Sequence, residues 1–187
     1  IGGLGNDKLI GGAGNDFYSF DADGPLGIDT IDESGGGVDT LDFSATTTLG
    51  VTVYLGLATQ QTVNANLALV LSSGVTMENV IGSALNDQFT GSSAANTFTG
   101  GLGNDTYLFD ADTALGSDVV DEKANGGTDT LDFSATTTLA LSMNLSVTTS
   151  QTVNKNLLLR LVDGASIENI TGGSLGDTLT GNNLDNT

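Results

Sequence analysis

Apolar residues in this chain come in short bursts at alternate positions, and no stretch carries them at helical spacing with a cap. Val51-Thr52-Val53-Tyr54-Leu55 alternates apolar and polar side chains, and Asn66-Leu67-Ala68-Leu69-Val70-Leu71 sets its leucines two apart. A period of two predicts strands with one buried face. Elsewhere the bursts shrink to a few residues and follow glycine-rich stretches, with a combined period of about nine residues. Residues 2–10 run directly into a second such nonapeptide at 11–19, and three more follow one another at 82–90, 91–99 and 100–108. The pattern predicts an all-β chain of short strands and turns.

A longer repeat lies over the short one. Asp39-Thr40-Leu41-Asp42-Phe43-Ser44-Ala45-Thr46 returns unchanged at 129–136, Gln61-Thr62-Val63-Asn64 returns at 151–154, and Glu78-Asn79-Val80 returns as Glu168-Asn169-Ile170, all about 90 residues apart. The chain is therefore close to two tandem copies of one unit, 1–96 and 97–187, expected to form one continuous body. Between the nonapeptide arrays an ending of the form Gly-x-Asp-x-apolar survives, carrying Asp29, Asp39, Asp118 and Asp129. The sequence opens without Met and closes in mid-pattern, which reads as a window on a longer protein.

Composition sharpens this picture. Gly 27 against Pro 1 calls for many backbone conformations that only glycine adopts cheaply, as in recurring tight turns. Hydrophobic residues at 38% allow a lean core, filled mostly by Leu, Val and Ile because Trp is absent. Asp+Glu 23 against Lys+Arg 4 gives a net charge of −19, which excludes nucleic acid and anionic membrane as partners. No apolar run is long enough for membrane insertion as a helix. Such a charge opposes compaction unless cations neutralise it; a solvated acidic surface is the plainer alternative. With Cys 0 and His 0 the chain has neither disulfides nor thiolate or imidazole metal ligands.

The intact form of the nonapeptide, Gly-Gly-x-Gly-x-Asp-x-apolar-x, stands at 2–10, 11–19 and 100–108, with partial forms at 82–90 and 172–180. In these residues the chain resembles the RTX, or haemolysin-type, calcium-binding family found in large secreted bacterial adhesins and surface proteins. The resemblance implies a right-handed parallel β-solenoid, the RTX β-roll, whose glycine-rich turns bind several Ca²⁺ ions. Glycines at positive φ let successive carbonyls curl toward one point, and the closing aspartate adds a carboxylate oxygen. Ca²⁺ takes six to eight such hard oxygens in irregular geometry, whereas Mg²⁺ demands a tight octahedron. The ligands so implied are Gly3, Gly5 and Asp7, Gly12, Gly14 and Asp16, Gly101, Gly103 and Asp105, with Asp87 and Asp177 in the partial repeats. Asp29, Asp39, Asp118 and Asp129 occupy the equivalent position in irregular turns, where ligation and plain turn formation both stay open. Asn96 and Asn186 replace the aspartate and weaken their sites.

In the family, turns two repeats apart stack and share an ion. That predicts the Asp87 turn over the Asp105 turn, Asp7 and Asp16 on opposite edges, and Leu9, Tyr18, Phe89, Phe98, Tyr107 and Leu179 pointing inward. Asp32-Glu33 and Asp121-Glu122 read as solvated acidic turns and not as acid/base pairs, so no catalytic residue is assigned. Asp21, Asp23, Asp110 and Asp112 read either as caps for a further ion or as solvent-exposed loop residues. The threonine runs 46–48 and 136–138 suit strands, with an ice- or glycan-binding face as a weaker alternative.

The expected function is structural and non-enzymatic: a calcium-rigidified shaft of a secreted, extracellular or cell-surface adhesin, fibre or filament. End-to-end or lateral self-assembly would suit such a shaft. The alternative is a C-terminal secretion and folding module of an RTX toxin or exoenzyme.

Overall fold

A computed structural model describes residues 2–72, 76–123 and 126–187, and among them there are strands and turns but no helix. The first copy contributes β1 (Lys8–Ile10), β2 (Phe17–Ser19), β3 (Gly27–Asp32), β4 (Thr40–Asp42), β5 (Thr52–Tyr54), β6 (Gln61–Asn64), β7 (Leu67–Leu71), β8 (Asn79–Ile81) and β9 (Gln88–Thr90). The second repeats them in order as β10 (Thr97–Thr99), β11 (Thr106–Leu108), β12 (Gly116–Val120), β13 (Thr130–Asp132), β14 (Ser142–Asn144), β15 (Gln151–Asn154), β16 (Leu157–Leu161), β17 (Asn169–Thr171) and β18 (Thr178–Thr180).

From β8 to β13 the chain crosses between two sheets at every turn. The seven-stranded sheet runs β15-β16-β12-β10-β8-β4-β2 and the five-stranded sheet β17-β13-β11-β9-β5. Strands two apart therefore pair in parallel, with Thr97 opposite Asn79 and Thr106 opposite Gln88. Both sheets contain strands of both copies, so the ladder passes through residue 96 without a break. This alternation is compatible with a parallel β-solenoid.

Each three-residue strand of the array buries its middle residue and leaves its neighbours half-exposed. Phe89 therefore meets Tyr107 at 5.9 Å and Phe98 at 6.3 Å, and Phe109 stacks on Phe133 at 5.3 Å, in one aromatic column. Tyr18, Phe89, Phe98 and Tyr107 point inward, and Leu9 packs half-buried against the core. Leu179 does not follow them: it is 37% exposed, because β18 pairs only with β14 in a two-stranded sheet and has no second neighbour to cover it.

Parallel pairing is broken in one place per copy. β6 pairs with β7, and β15 with β16, as antiparallel hairpins. The side chains of the repeated Gln-Thr-Val-Asn motif explain the detour. The Gln61 amide donates to the Tyr54 carbonyl at 3.0 Å and accepts the Tyr54 N–H at 2.8 Å, continuing the ladder in place of a backbone. Asn66 Nδ2 then ties the hairpin to the carbonyls of Ala22 and Asp23 at 2.9 and 3.1 Å. The threonine runs are likewise accounted for, since Asp23 accepts the N–H and hydroxyl groups of both Thr47 and Thr48. Those bonds favour the anion and lower the Asp23 pKa to about 2. Asp112 does the same for Thr137 and Thr138, so neither aspartate is a free loop carboxylate.

The turns stack so closely that some glycines have no room for a methyl group. A Cβ on Gly127 would run into the carbonyl of Gly103 in the turn beneath, whereas one on Gly24 meets nothing within 4 Å. Gly127→Ala is expected to cost about 1–3 kcal/mol through overpacking against backbone that cannot move aside. Gly24→Ala should be near neutral, and thermal melts of the two variants compare them directly.

Candidate metal centre

The six-residue turns fall into two classes. In turns 2–7, 11–16 and 100–105 the second and fourth residues are glycines at positive φ: 92° and 108° for Gly3 and Gly5, 92° and 109° for Gly12 and Gly14, 106° and 111° for Gly101 and Gly103. Side chains rarely adopt this conformation, which is why the motif fixes glycine at these two places. In turns 82–87, 91–96, 172–177 and 181–186 no glycine has positive φ. There the N–H of the second residue donates to the side chain of the sixth: Ser83 to Asp87 at 2.6 Å, Ser92 to Asn96 at 2.7 Å, Gly173 to Asp177 at 2.8 Å and Asn182 to Asn186 at 2.9 Å. These turns close on themselves. The glycine-rich turns leave the aspartate without that donor.

Between turns, parallel register builds a ladder of acids. The N–H of each acidic residue donates to a carboxylate oxygen in the next turn: Asp7 to Asp29 at 2.9 Å, Asp16 to Asp39 at 2.8 Å, Asp87 to Asp105 and Asp105 to Asp129 at 2.8 Å. Glu78 and Glu168 extend it, accepting from Asp39 at 2.9 Å and Asp129 at 2.8 Å. The Asp87 turn thus sits beside the Asp105 turn, while Asp7 and Asp16 precede strands of different sheets.

Asp29, Asp39, Asp105 and Asp118 each commit one carboxylate oxygen to such a bond and leave the other. Among the described residues, the second oxygens of Asp7, Asp16, Asp29, Asp39, Asp105 and Asp118, together with Glu33 Oε2, are buried without a partner. An unsatisfied buried polar group costs about 1–3 kcal/mol, and more when charged, so these oxygens require a proton or a cation. Asp87 and Asp177 differ. Asp87 accepts from Val51 N, Ser83 N and Ser83 Oγ, and Asp177 from Leu141 N and Gly173 N, so both carboxylates are hydrogen-bonded at each oxygen.

Carboxylates converge in two places. Ligand atoms of Asp16, Glu33 and Asp39 lie within 4.8 Å of one another, as do those of Asp105, Glu122 and Asp129 at the equivalent place in the second copy. Glu33 and Glu122 are 1% and 0% exposed, so they are not the solvated acids expected of acidic turns. Register is the cause: Ile10 pairs with Asp32, which puts Glu33 beside Gly11, and the missing side chain there makes space for its carboxylate. The Tyr18 hydroxyl donates to Glu33 Oε1, and the Tyr107 hydroxyl donates to Glu122 Oε1 at 2.5 Å. A sequence signal existed, since each glutamate follows a nonapeptide tyrosine by 15 residues in both copies.

Electrostatics agree with the geometry. Burial, and then the charges of Asp39, Asp16 and Glu78, raise the Glu33 pKa to about 7. Burial raises Asp105 to about 8, and Asp118 and Asp129 each to about 7. Every side-chain ligand here is oxygen, the donor set of a hard cation such as Ca²⁺.

The second copy carries an informative exception. Asn96 stands where the first copy has Asp7, with its N–H donating to Asp118 at 2.9 Å as Asp7 does to Asp29. Its side-chain Nδ2 donates to the carbonyls of Met77 and Glu78, both at 3.3 Å. The amide hydrogens supply positive charge next to these carbonyls, where an aspartate would bring only repulsion. The chain matches no protein-family model and no curated protein.

Proposed function

We propose that this chain is a calcium-folded segment of an RTX-type, right-handed β-solenoid, serving as a structural shaft of a secreted, extracellular protein. The observation that carries the reading is the set of buried, unpartnered carboxylate oxygens lined up along the turn edges. Hard cations satisfy them, cancel much of the net charge of −19, and convert an unfavourable acidic column into the element that holds successive turns together. Extracellular calcium modules bind at about 10⁻⁴–10⁻³ M, so such a shaft would stiffen outside a cell and stay loose in the cytosol. The unbroken passage of both sheets from one copy into the next supports end-to-end addition of units. Glycines 3, 5, 12, 14, 101 and 103 shape the binding turns; Asp7, Asp16, Asp29, Asp39, Asp105, Asp118 and Asp129 supply carboxylates; Asp87 and Asp177 act as self-closed spacers.

Far-UV circular dichroism during calcium titration, with magnesium in parallel, tests this reading. A cooperative gain of β signal between micromolar and millimolar Ca²⁺, with little response to Mg²⁺, is the expected result. Complete β-structure in chelator at pH 8 would overturn it.

A further inference from the structure

We infer that Asp16–Glu33–Asp39 and Asp105–Glu122–Asp129 are the two primary cation sites of this chain, filled before the other turns, and that Glu33 and Glu122 set their strength. The inference rests on the calcium reading above and adds ligands that lie outside the nonapeptide motif.

Three features separate these places from the rest of the ladder. First, each brings three carboxylates within 4.8 Å, against the two of the Asp7–Asp29 pair, and cation affinity at oxygen sites rises with ligand charge. Second, the glutamates are buried and aimed inward: Glu33 Oε2, Asp16 Oδ2 and Asp39 Oδ2 are buried and unpartnered in the first cluster, as is Asp105 Oδ2 in the second. Third, the seat of each glutamate is built for it. A Cβ on Gly11 would strike Glu33 Oε1, and one on Gly100 would strike Glu122 Oε1. The tyrosine hydroxyl meanwhile holds Oε1. In the first copy this leaves Glu33 Oε2 to face the ion. The same construction appears in both copies, about 90 residues apart.

The tyrosines also provide the probe. Terbium(III) is a hard ion of similar size to Ca²⁺ and emits when an adjacent tyrosine is excited. Tyr18 and Tyr107 touch the clusters, whereas the third tyrosine, Tyr54, lies on β5 and is 37% exposed. Terbium titration of the wild-type chain should give tyrosine-sensitised emission that saturates at two ions and is displaced by calcium. Glu122→Gln should lose half of that emission at concentrations that saturate the wild type, and the Glu33→Gln/Glu122→Gln pair nearly all of it. Tyr107→Phe should also lose half the emission while calorimetry counts the same number of ions, separating the reporter from the ligand. Each single variant keeps the other copy's site as an internal reference for folding. The inference is overturned if the double glutamine variant keeps wild-type emission and calcium affinity, or if Tyr54→Phe removes the signal. Should the wild type fold and bind no calcium at all, the calcium reading itself falls; calcium-dependent folding unaffected by the glutamine pair removes only this inference.

Discussion

In calcium-free buffer the chain is expected to hold its β-structure at pH 5 and to lose it between pH 6 and 8, whereas in millimolar calcium the fold should persist to pH 8. The sign follows from burial. Glu33, Asp118 and Asp129 have folded-state pKa values of about 7 and Asp105 of about 8, above the ordinary values of 4.5 for glutamate and 3.8 for aspartate. Between those limits the folded chain binds more protons than the unfolded one, so stability falls as pH rises. The full penalty is in place only once pH exceeds the raised values. Calcium binds the deprotonated carboxylates, and its stabilisation therefore grows over the same range. Acid and calcium should each substitute for the other. General self-repulsion of a net charge of −19 also favours acid, but carboxylates in water titrate near pH 4 and would place the change there. Thermal melts at half-unit steps from pH 4 to pH 8, in chelator and in calcium, separate the two. A chelator curve that is flat above pH 6 would show that the buried acids do not control the fold.

Much of this architecture was legible in the residues, and its limits have physical causes. The nine-residue period located the strands of the arrays because every repeat has to return one apolar side chain to the same interior column. Gly12 and Gly14 are readable because positive φ excludes nearly everything else. Strand direction is another matter: period two is the same in parallel and antiparallel pairs, so the β6–β7 hairpin was hidden, although Asn64-Ala65-Asn66 is a turn signal. The aspartates look alike in sequence and differ in three dimensions. Asp87 is satisfied by the N–H and hydroxyl of Ser83 in its own turn, whereas Asp105, one turn on, has an oxygen with no donor. The discriminating signal is two residues upstream of the acid, in whether the fourth turn position is glycine, as at Gly103, or not, as at Leu85. Glu33 departs from its expected exposure for a related reason. An isolated acidic pair next to glycines reads as exposed, and only register with Gly11 and Tyr18 buries it.

Asn96→Asp should convert a cation-independent turn into one that depends on calcium. In the native chain the Asn96 amide lies between the carbonyls of Met77 and Glu78 and donates to both at 3.3 Å. Beside it, Asp118 already has one buried oxygen without a partner and a pKa of about 7. A carboxylate at position 96 would keep the Ser92 N–H on one oxygen, but its other oxygen would face two carbonyls and a neighbouring acid with no donor among them. A buried carboxylate oxygen left without a donor costs about 1–3 kcal/mol, and more when it carries charge. In chelator at pH 8 the variant should therefore melt well below the wild type or fail to fold. In calcium the two carbonyls, the new carboxylate and the free Asp118 oxygen together form an oxygen site, so much of the loss should be recovered with one more bound ion. The reverse exchange at an open turn, Asp105→Asn, should act with the opposite sign. Removing a carboxylate raised to about pKa 8 stabilises the chain in chelator and weakens its response to calcium. Paired melts of both variants with and without calcium check the relation. If Asn96→Asp is equally destabilised in both conditions, the asparagine is only a packing residue, and position 96 says nothing about where ions sit.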